Sequence, residues 1–237
     1  MPSVSFRVNP EYADVTEIVP GLFVCGVSAL TLQCMEKLNI TLIINATEEV
    51  PNFASLGAIP RIKLWIEDTS QAYILPHFDN ICDRIHAELT DNGKVLIHCV
   101  AGVSRSATLC LAYLTKYKCR SLREAYHLMA SKRPMVRPVV GFWKQLISFE
   151  QEVKKAPATV KLISDESQSE KLLPDVYLKH IFPARSEGPN AGKDEKYENK
   201  AVGGKRKFQP VLETLAETTE MVTTIPSSVC PLKNPGF

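Results

Sequence analysis

No run of eighteen apolar residues occurs in this 237-residue sequence, so no helix is predicted to span a membrane. Residues 1 to 15 carry charges and no apolar stretch of the kind a secretory leader requires. The sequence begins Met1-Pro2 and ends Asn234-Pro235-Gly236-Phe237, so the usual myristoyl and prenyl modifications are not expected. The chain has no excess of either charge. Its 28 Lys and Arg against 26 Asp and Glu leave a net charge of +2, which argues against nucleic acid or an anionic membrane as a partner. Seven cysteines, an odd number without framework spacing, exclude a disulfide scaffold. They predict reduced thiols and hence the cytoplasm, with the nucleus as a second location. Internal repeats are absent.

What is present is an ordinary core former. A hydrophobic content of 45% predicts one domain of about 150 residues plus additional sequence. Leu22 to Cys25, Thr41 to Ile44 and Arg61 to Ile66 read as strands, rich in apolar and β-branched residues. Ala29 to Leu38 reads as a helix. Phe78, Ile81, Cys82, Ile85 and Leu89, following Pro76, give a one-faced amphipathic helix. Asn92-Gly93 marks a turn before a further apolar strand. Ser121-Leu122-Arg123-Glu124 has the capping-box pattern, and Pro134 stops the helix it opens. Phe142, Leu146, Phe149 and Val153 mark a last helix before Pro157. The alternation predicts an α/β fold with a central mixed sheet of about five strands flanked by helices.

Chemistry concentrates in Val95-Leu96-Ile97-His98-Cys99-Val100-Ala101-Gly102-Val103-Ser104-Arg105-Ser106. A buried strand delivers Cys99 into a tight loop, and a central helix follows at once. A helix N-terminus and a cation can depress a thiol pKa from about 8.5 into the range ~3.5–7.5, which makes sulfur a nucleophile. Loop N–H groups converging ahead of a helix attract an anion. Gly102 permits the positive φ that such a loop demands. Arg105 offers a planar fork for two phosphoryl oxygens. The Ser106 hydroxyl is placed to hydrogen-bond the sulfur. The competing reading of Cys99 is a buried structural thiol.

Attack on a phosphate ester also needs an acid for the leaving oxygen. Trp65-Ile66-Glu67-Asp68-Thr69 ends a strand and opens a loop, with Asp68 lying 31 positions before Cys99. On the residues alone, Asp68 and Glu67 both remain candidates, and either is also an ordinary solvated or capping carboxylate.

His98 to Ser106 resembles the active-site loop of cysteine-dependent protein phosphatases, specifically the dual-specificity class. The resemblance covers about residues 13 to 156. It extends to Gly21-Leu22-Phe23-Val24-Cys25-Gly26, to Ile40–Asn45, to Glu49-Val50-Pro51-Asn52 and to Gly141-Phe142. It points to the small atypical members without a kinase-docking domain. Leu172-Leu173-Pro174-Asp175-Val176-Tyr177 resembles a short tail found after the domain in a few of these. The resemblance implies a phosphocysteine intermediate on Cys99, no metal or other cofactor, and Asp68 as general acid and later base. It further implies that Arg105 and the amides of Val100, Ala101, Gly102, Val103 and Ser104 hold the phosphoryl group. His98 is implied to orient the loop rather than carry a proton. Many relatives have an Asn before the Gly-Phe pair that braces the loop, where this chain has Val139-Val140.

Loop residues Val100, Ala101 and Val103 are small and neutral, unlike the Lys-bearing loops of phosphoinositide phosphatases, so the resemblance implies a phosphoprotein substrate. Without an extended phosphotyrosine-recognition loop, phosphoserine and phosphothreonine are expected beside phosphotyrosine. Mitogen-activated protein kinases are the family-level candidates for substrate. The alternative is a phosphoprotein-binding module of weak activity. Arg133 and Arg137 are either anion-attracting neighbours of the pocket or parts of a surface turn. Expected boundaries are 1–12 for an N-terminal segment, 13–156 for the catalytic domain, 157–183 for a docked extension and 184–237 for a disordered tail. Lys205-Arg206-Lys207 within that tail is a poor nuclear-import signal. Oligomeric state is not legible.

Overall fold

In the computed structural model, which describes residues 14–165 and 168–178, the central strand is the one that leads to Cys99. The described residues form seven strands and five α-helices: β1 (Thr16–Val19), β2 (Leu22–Cys25), α1 (Leu32–Leu38), β3 (Leu42–Asn45), β4 (Arg61–Lys63), α2 (Phe78–Thr90), β5 (Val95–His98), α3 (Arg105–Tyr113), α4 (Leu122–Lys132), α5 (Val140–Lys154), β6 (Leu162–Asp165) and β7 (Gln168–Pro174). The main sheet has the order β1-β2-β5-β3-β4, with β1 antiparallel and the rest parallel. This is the mixed five-stranded sheet expected. The expected segments 1–12 and 184–237, Lys205–Lys207 included, lie outside the described residues, as do 179–183.

Both faces of the parallel strands are covered, so these strands read as apolar runs rather than alternating ones. Leu22, Val24, Leu42, Ile44, Val95 and Ile97 face the core shared with α2 to α5. Their alternates Phe23, Cys25, Ile43 and Leu96 face a smaller cluster with Met35, Ile40 and Leu56. Helix α3 runs through the first core with all nine of its residues buried, and a π-helical turn at Leu114–Lys118 continues it.

Several boundaries differ from the sequence reading. The strand expected over Arg61 to Ile66 stops at Lys63. Leu64 N–H still bonds the Asn45 carbonyl, but Ile66 N–H turns back onto the Leu64 carbonyl and leaves Trp65 73% exposed. The helix expected from Ala29 begins at Leu32, because Thr31 Oγ1 accepts the Cys34 N–H as its cap; a 3-10 turn at Val27–Ala29 precedes it. The strand read as Thr41 to Ile44 is shifted one residue onward. Ser121 caps α4 as expected, but Glu124 accepts from the Arg120 N–H, one position before the cap.

β1 and the β6–β7 hairpin carry no strong sequence signal and were not anticipated. The hairpin ends in a 3-10 turn at Asp175–Tyr177, and Val160 and Val176 enter the main core. Tyr177 packs among Tyr126, Trp143 and Arg137, and accepts the Trp143 Nε1–H at 2.8 Å.

Candidate active site

β5 ends at His98, level with Cys25 of β2 and Asn45 of β3, and the next six residues curl before α3 begins. Each loop carbonyl from Val100 to Ser104 is bonded outward. Val100 O accepts from Val27 N–H, and Val103 O accepts from Arg137 N–H, both at 2.9 Å. Gly102 O and Ala101 O accept from Arg133, at 2.8 and 3.2 Å. Ser104 O accepts both the N–H and the hydroxyl of Thr108 at 2.8 Å. In a trans peptide the N–H points opposite to the preceding carbonyl. Five outward carbonyls therefore turn the N–H groups of Ala101, Gly102, Val103, Ser104 and Arg105 toward a common centre.

Cys99, 2% exposed, lies in this cradle. Its Sγ accepts the Gly102 N–H at 3.2 Å and lies 3.2 Å from Ser106 Oγ. Gly102 has φ +70, and a Cβ there would sit 2.7 Å from Arg133 Nη2 and 2.7 Å from the Cys25 carbonyl carbon. Both the turn and the packing thus demand glycine.

Arg105 is 4% exposed, and its guanidinium is held from one end. Nη1 and Nη2 each bond one Glu49 oxygen at 2.7 Å, and Nη1 also donates to the Ile66 carbonyl at 3.1 Å. Nε is buried without a hydrogen-bond partner, with Asp68 Oδ2 at 3.7 Å. Burial acts to raise the Glu49 pKa, but the Arg105 bonds and charge and nearby main-chain N–H groups outweigh it and lower it on balance. Glu49 owes its aim to two buried residues. Asn45 bonds the Val50 carbonyl and Asn52, while Thr47 bonds Asn45 and caps the Val50 N–H.

Asp68 reaches the same centre. Its Oδ1 accepts the Ser104 hydroxyl at 2.6 Å, and Oδ2 faces Arg105. No hydrogen bond or ion pair joins Glu67 to Cys99, Arg105 or Ser106. His98 is buried, and its pKa is pushed down to about 4 chiefly by that burial, against the main-chain contact with Cys99 and with the help of the Lys63 and Arg105 charges. It is neutral at pH 7. Burial drives the thiol pKa values of Cys25, Cys82 and Cys110 upward.

Sequence-predicted Cys99, Arg105, Asp68, Ser106 and the loop from Val100 to Ser104 are thus brought together. Arg133 fits neither reading offered for it. It is 1% exposed and ties the outer side of the loop to Asp14 O and Thr16 Oγ1. Glu49 was missed as a partner of Arg105, since Glu49-Val50-Pro51-Asn52 carried resemblance to the family but no role. Also missed was Gln145, whose amide bonds Ala72 O, Ile74 N–H and Leu75 N–H in the segment after Asp68. At Val139, one of the two valines standing where the resemblance implies a bracing Asn in many relatives, the main-chain N–H donates to Ser104 Oγ at 3.3 Å. Among the described residues, no group of three or more His, Cys, Asp or Glu is arranged to hold a metal, and no helix is long and apolar enough to cross a membrane.

Comparison with known proteins agrees with this geometry. The dual specificity phosphatase catalytic domain pattern matches residues 22–152. Human dual specificity protein phosphatase 14 is 39% identical over 177 residues, 73% of this chain and 87% of that protein. Human dual specificity protein phosphatase 18 is 36% identical over 184 residues, 76% and 95% of the two chains. Among solved structures, a mouse putative dual specificity phosphatase complexed with zinc tungstate superposes with a TM-score of 0.57 at 28% identity, covering 65% of this chain and 94% of that one. Human DUSP28 gives 0.57 at 27% identity, covering 63% and 99%. With a thiol in an anion cradle, an arginine and a carboxylate at one centre, the chain belongs to the dual-specificity protein phosphatase family, with the small atypical members as its relatives, and is a cysteine-dependent phosphatase of phosphoproteins.

Proposed function

We propose that Cys99 is the nucleophile of this phosphatase and that phosphocysteine forms on its sulfur. The observation that carries this reading is the contact of the Cys99 sulfur with the Gly102 N–H and the Ser106 hydroxyl, in a site that also holds a buried Arg105 whose Nε has no hydrogen-bond partner. The inward N–H groups of Ala101 to Arg105, together with Arg105 Nε–H and the remaining Nη2 proton, bind the phosphoryl oxygens. As sulfur attacks phosphorus, Asp68 gives its proton to the departing oxygen. Water then attacks phosphorus, Asp68 takes its proton, and sulfur departs toward the Ser106 hydroxyl. His98, neutral and buried, orients the loop.

The small neutral side chains of Val100, Ala101 and Val103 favour a phosphoprotein, and the lack of an extended phosphotyrosine-recognition loop favours phosphoserine and phosphothreonine beside phosphotyrosine. Mitogen-activated protein kinases are the proposed substrates, by family analogy. We assign 13–156 to the catalytic domain, 157–183 to an extension docked on it and 1–12 and 184–237 to flanking sequence, with the cytoplasm and nucleus as sites of action.

Phosphate release from a peptide carrying both phosphothreonine and phosphotyrosine tests this reading, with wild type compared against Cys99→Ser. The expected result is loss of both phosphates with wild type and of neither with the variant. A folded wild-type protein that binds the peptide under reductant without releasing phosphate would favour a binding module instead.

A further inference from the structure

We propose that Lys63 is a positioning residue for Arg105, acting through Glu49: its ammonium fastens the main chain on both sides of Glu49 and so fixes the carboxylate that aims the guanidinium. The inference rests on the reading of Arg105 as a ligand of the phosphoryl group made above.

Arg105 takes its supports from two separate segments. Glu49 meets both terminal nitrogens, and the Ile66 carbonyl accepts from Nη1. Glu49 stands in the segment after β3, whereas Ile66 follows β4. Lys63, the last residue of β4, joins the two. Its main chain is in register with Asn45 of β3, and the Leu64 N–H bonds the Asn45 carbonyl at 2.8 Å. Its Nζ donates to the Glu48 carbonyl at 3.1 Å and to the Val50 carbonyl, with Thr47 Oγ1 at 3.5 Å. An ammonium has three protons. Residues 47 to 50 accept all three.

Asn45 already holds the far side of Glu49, since its amide also bonds the Val50 carbonyl. A carbonyl oxygen has two lone pairs and takes both donors. The near side, at the Glu48 carbonyl, is held by Lys63. Trp65 covers the clamp. Its ring is 73% exposed, and Lys63 Nζ lies 4.7 Å from the ring centroid, where the indole face attracts a cation. An aromatic ring left in solvent thus has a partner in the ammonium that holds the Glu49 segment.

Two other ways for Lys63 to matter make different demands. A bare charge near the pocket would attract phosphate whether or not Glu49 grips Arg105. A role through the Asp68 segment, which follows Lys63 in the chain, would be felt most where the leaving oxygen needs a proton. A hold on Glu49 acts on phosphoryl binding alone, so it depends on Glu49 and is indifferent to the leaving group.

The test is kcat/KM for Lys63→Met on phenyl phosphate and 4-nitrophenyl phosphate, in the wild-type and Glu49→Gln backgrounds. Lys63 is half-buried on an edge strand, so the fold stands without its ammonium. In the wild-type background a loss of ~10-fold is expected on both substrates alike, with inhibition by inorganic phosphate weakened in parallel. In the Glu49→Gln background the same substitution is expected to add less than ~2-fold, because both changes act on one contact. The cycle run with Lys63→Gln, which keeps a polar head, carries the same comparison if the apolar side chain disturbs folding. A full further loss in the Glu49→Gln background would mean that Lys63 acts by its charge, and would overturn the proposal. A loss confined to phenyl phosphate would put Lys63 in service of Asp68 and overturn it too, as would unchanged kinetics on both substrates. If Arg105→Lys leaves kcat/KM and phosphate inhibition unchanged, the reading of Arg105 fails and this proposal with it. An impaired Arg105→Lys beside an unaffected Lys63→Met overturns this proposal alone.

Discussion

Glu49 grips Arg105 by both terminal nitrogens at 2.7 Å, and Nε is left without a hydrogen-bond partner. An arginine guanidinium has two edges for bidentate contact, Nη1–Nη2 and Nε–Nη2, since Cδ blocks the third. Taking one with a carboxylate leaves the Nε–Nη2 edge facing the loop centre, where a phosphate's paired oxygens belong.

Glu49→Gln keeps the volume but replaces one acceptor with a donor that opposes an arginine N–H. Charge-assisted bonds are worth about 1.5–3 kcal/mol, so we expect a loss of about tenfold to hundredfold in kcat/KM. Inhibition by inorganic phosphate should weaken in parallel. Phosphate inhibition as strong as in wild type would show that Arg105 does not depend on Glu49.

Asp68→Asn preserves an acceptor for the Ser104 hydroxyl while removing the transferable proton. Turnover of substrates with poor leaving groups is expected to fall ~10²–10⁴-fold, with a much smaller effect on 4-nitrophenyl phosphate. Steady-state kinetics on the two substrates checks this, and wild-type turnover of the poorer one would remove Asp68 from the mechanism.

His98 makes stability depend on pH. In the unfolded chain its imidazole protonates near its ordinary 6.5; in the folded protein it does so only near 4. Between those values the unfolded state binds more protons, so stability is complete above the window and falls as pH drops through it. The loss approaches about 3 kcal/mol. Urea unfolding of wild type and His98→Gln across that range should show a slope from this source in wild type only. Parallel profiles would contradict it.

Gly141→Ala would drive a methyl into the Ser70 main chain, where the approach is 2.0 Å to the carbonyl oxygen and 2.6 Å to its carbon. Backbone offers little room to yield. Overpacking of this sort costs ~1–3 kcal/mol, which corresponds to a melting temperature lower by about 3–10 °C. Activity should fall most on substrates that need the Asp68 proton. An unchanged melting temperature would mean that the loop relaxes freely.

The contrast between Cys99 and Glu49 shows what was legible in the sequence. Cys99, Gly102, Arg105 and Ser106 lie within one strand-loop-helix, so local spacing alone brings them to one centre. Glu49 meets Arg105 across 56 positions, and Gln145 meets Ile74 across 71; no local pattern announces either. Arg133 read equally as an anion-attracting neighbour of the pocket or as part of a surface turn, because its burial arises only when β1 and the catalytic loop close around it. Trp65 broke an apparent strand because Ile66 turns its carbonyl to Arg105, a tertiary demand that overrides β propensity. The parallel strands β2, β3 and β5 were legible because burial on both faces leaves continuous apolar runs. Edge strand β1 and the β6–β7 hairpin lack such runs.

The most direct test of the account is to quench the reaction in acid during turnover of a phosphopeptide and map the protein by mass spectrometry. Wild type should carry one phosphoryl group on the peptide containing Cys99, and Cys99→Ser should carry none on that peptide or elsewhere during the same interval. Steady turnover by wild type with no phosphorylated Cys99 peptide at any quench time, or a phosphoryl group mapped to another residue, would contradict it.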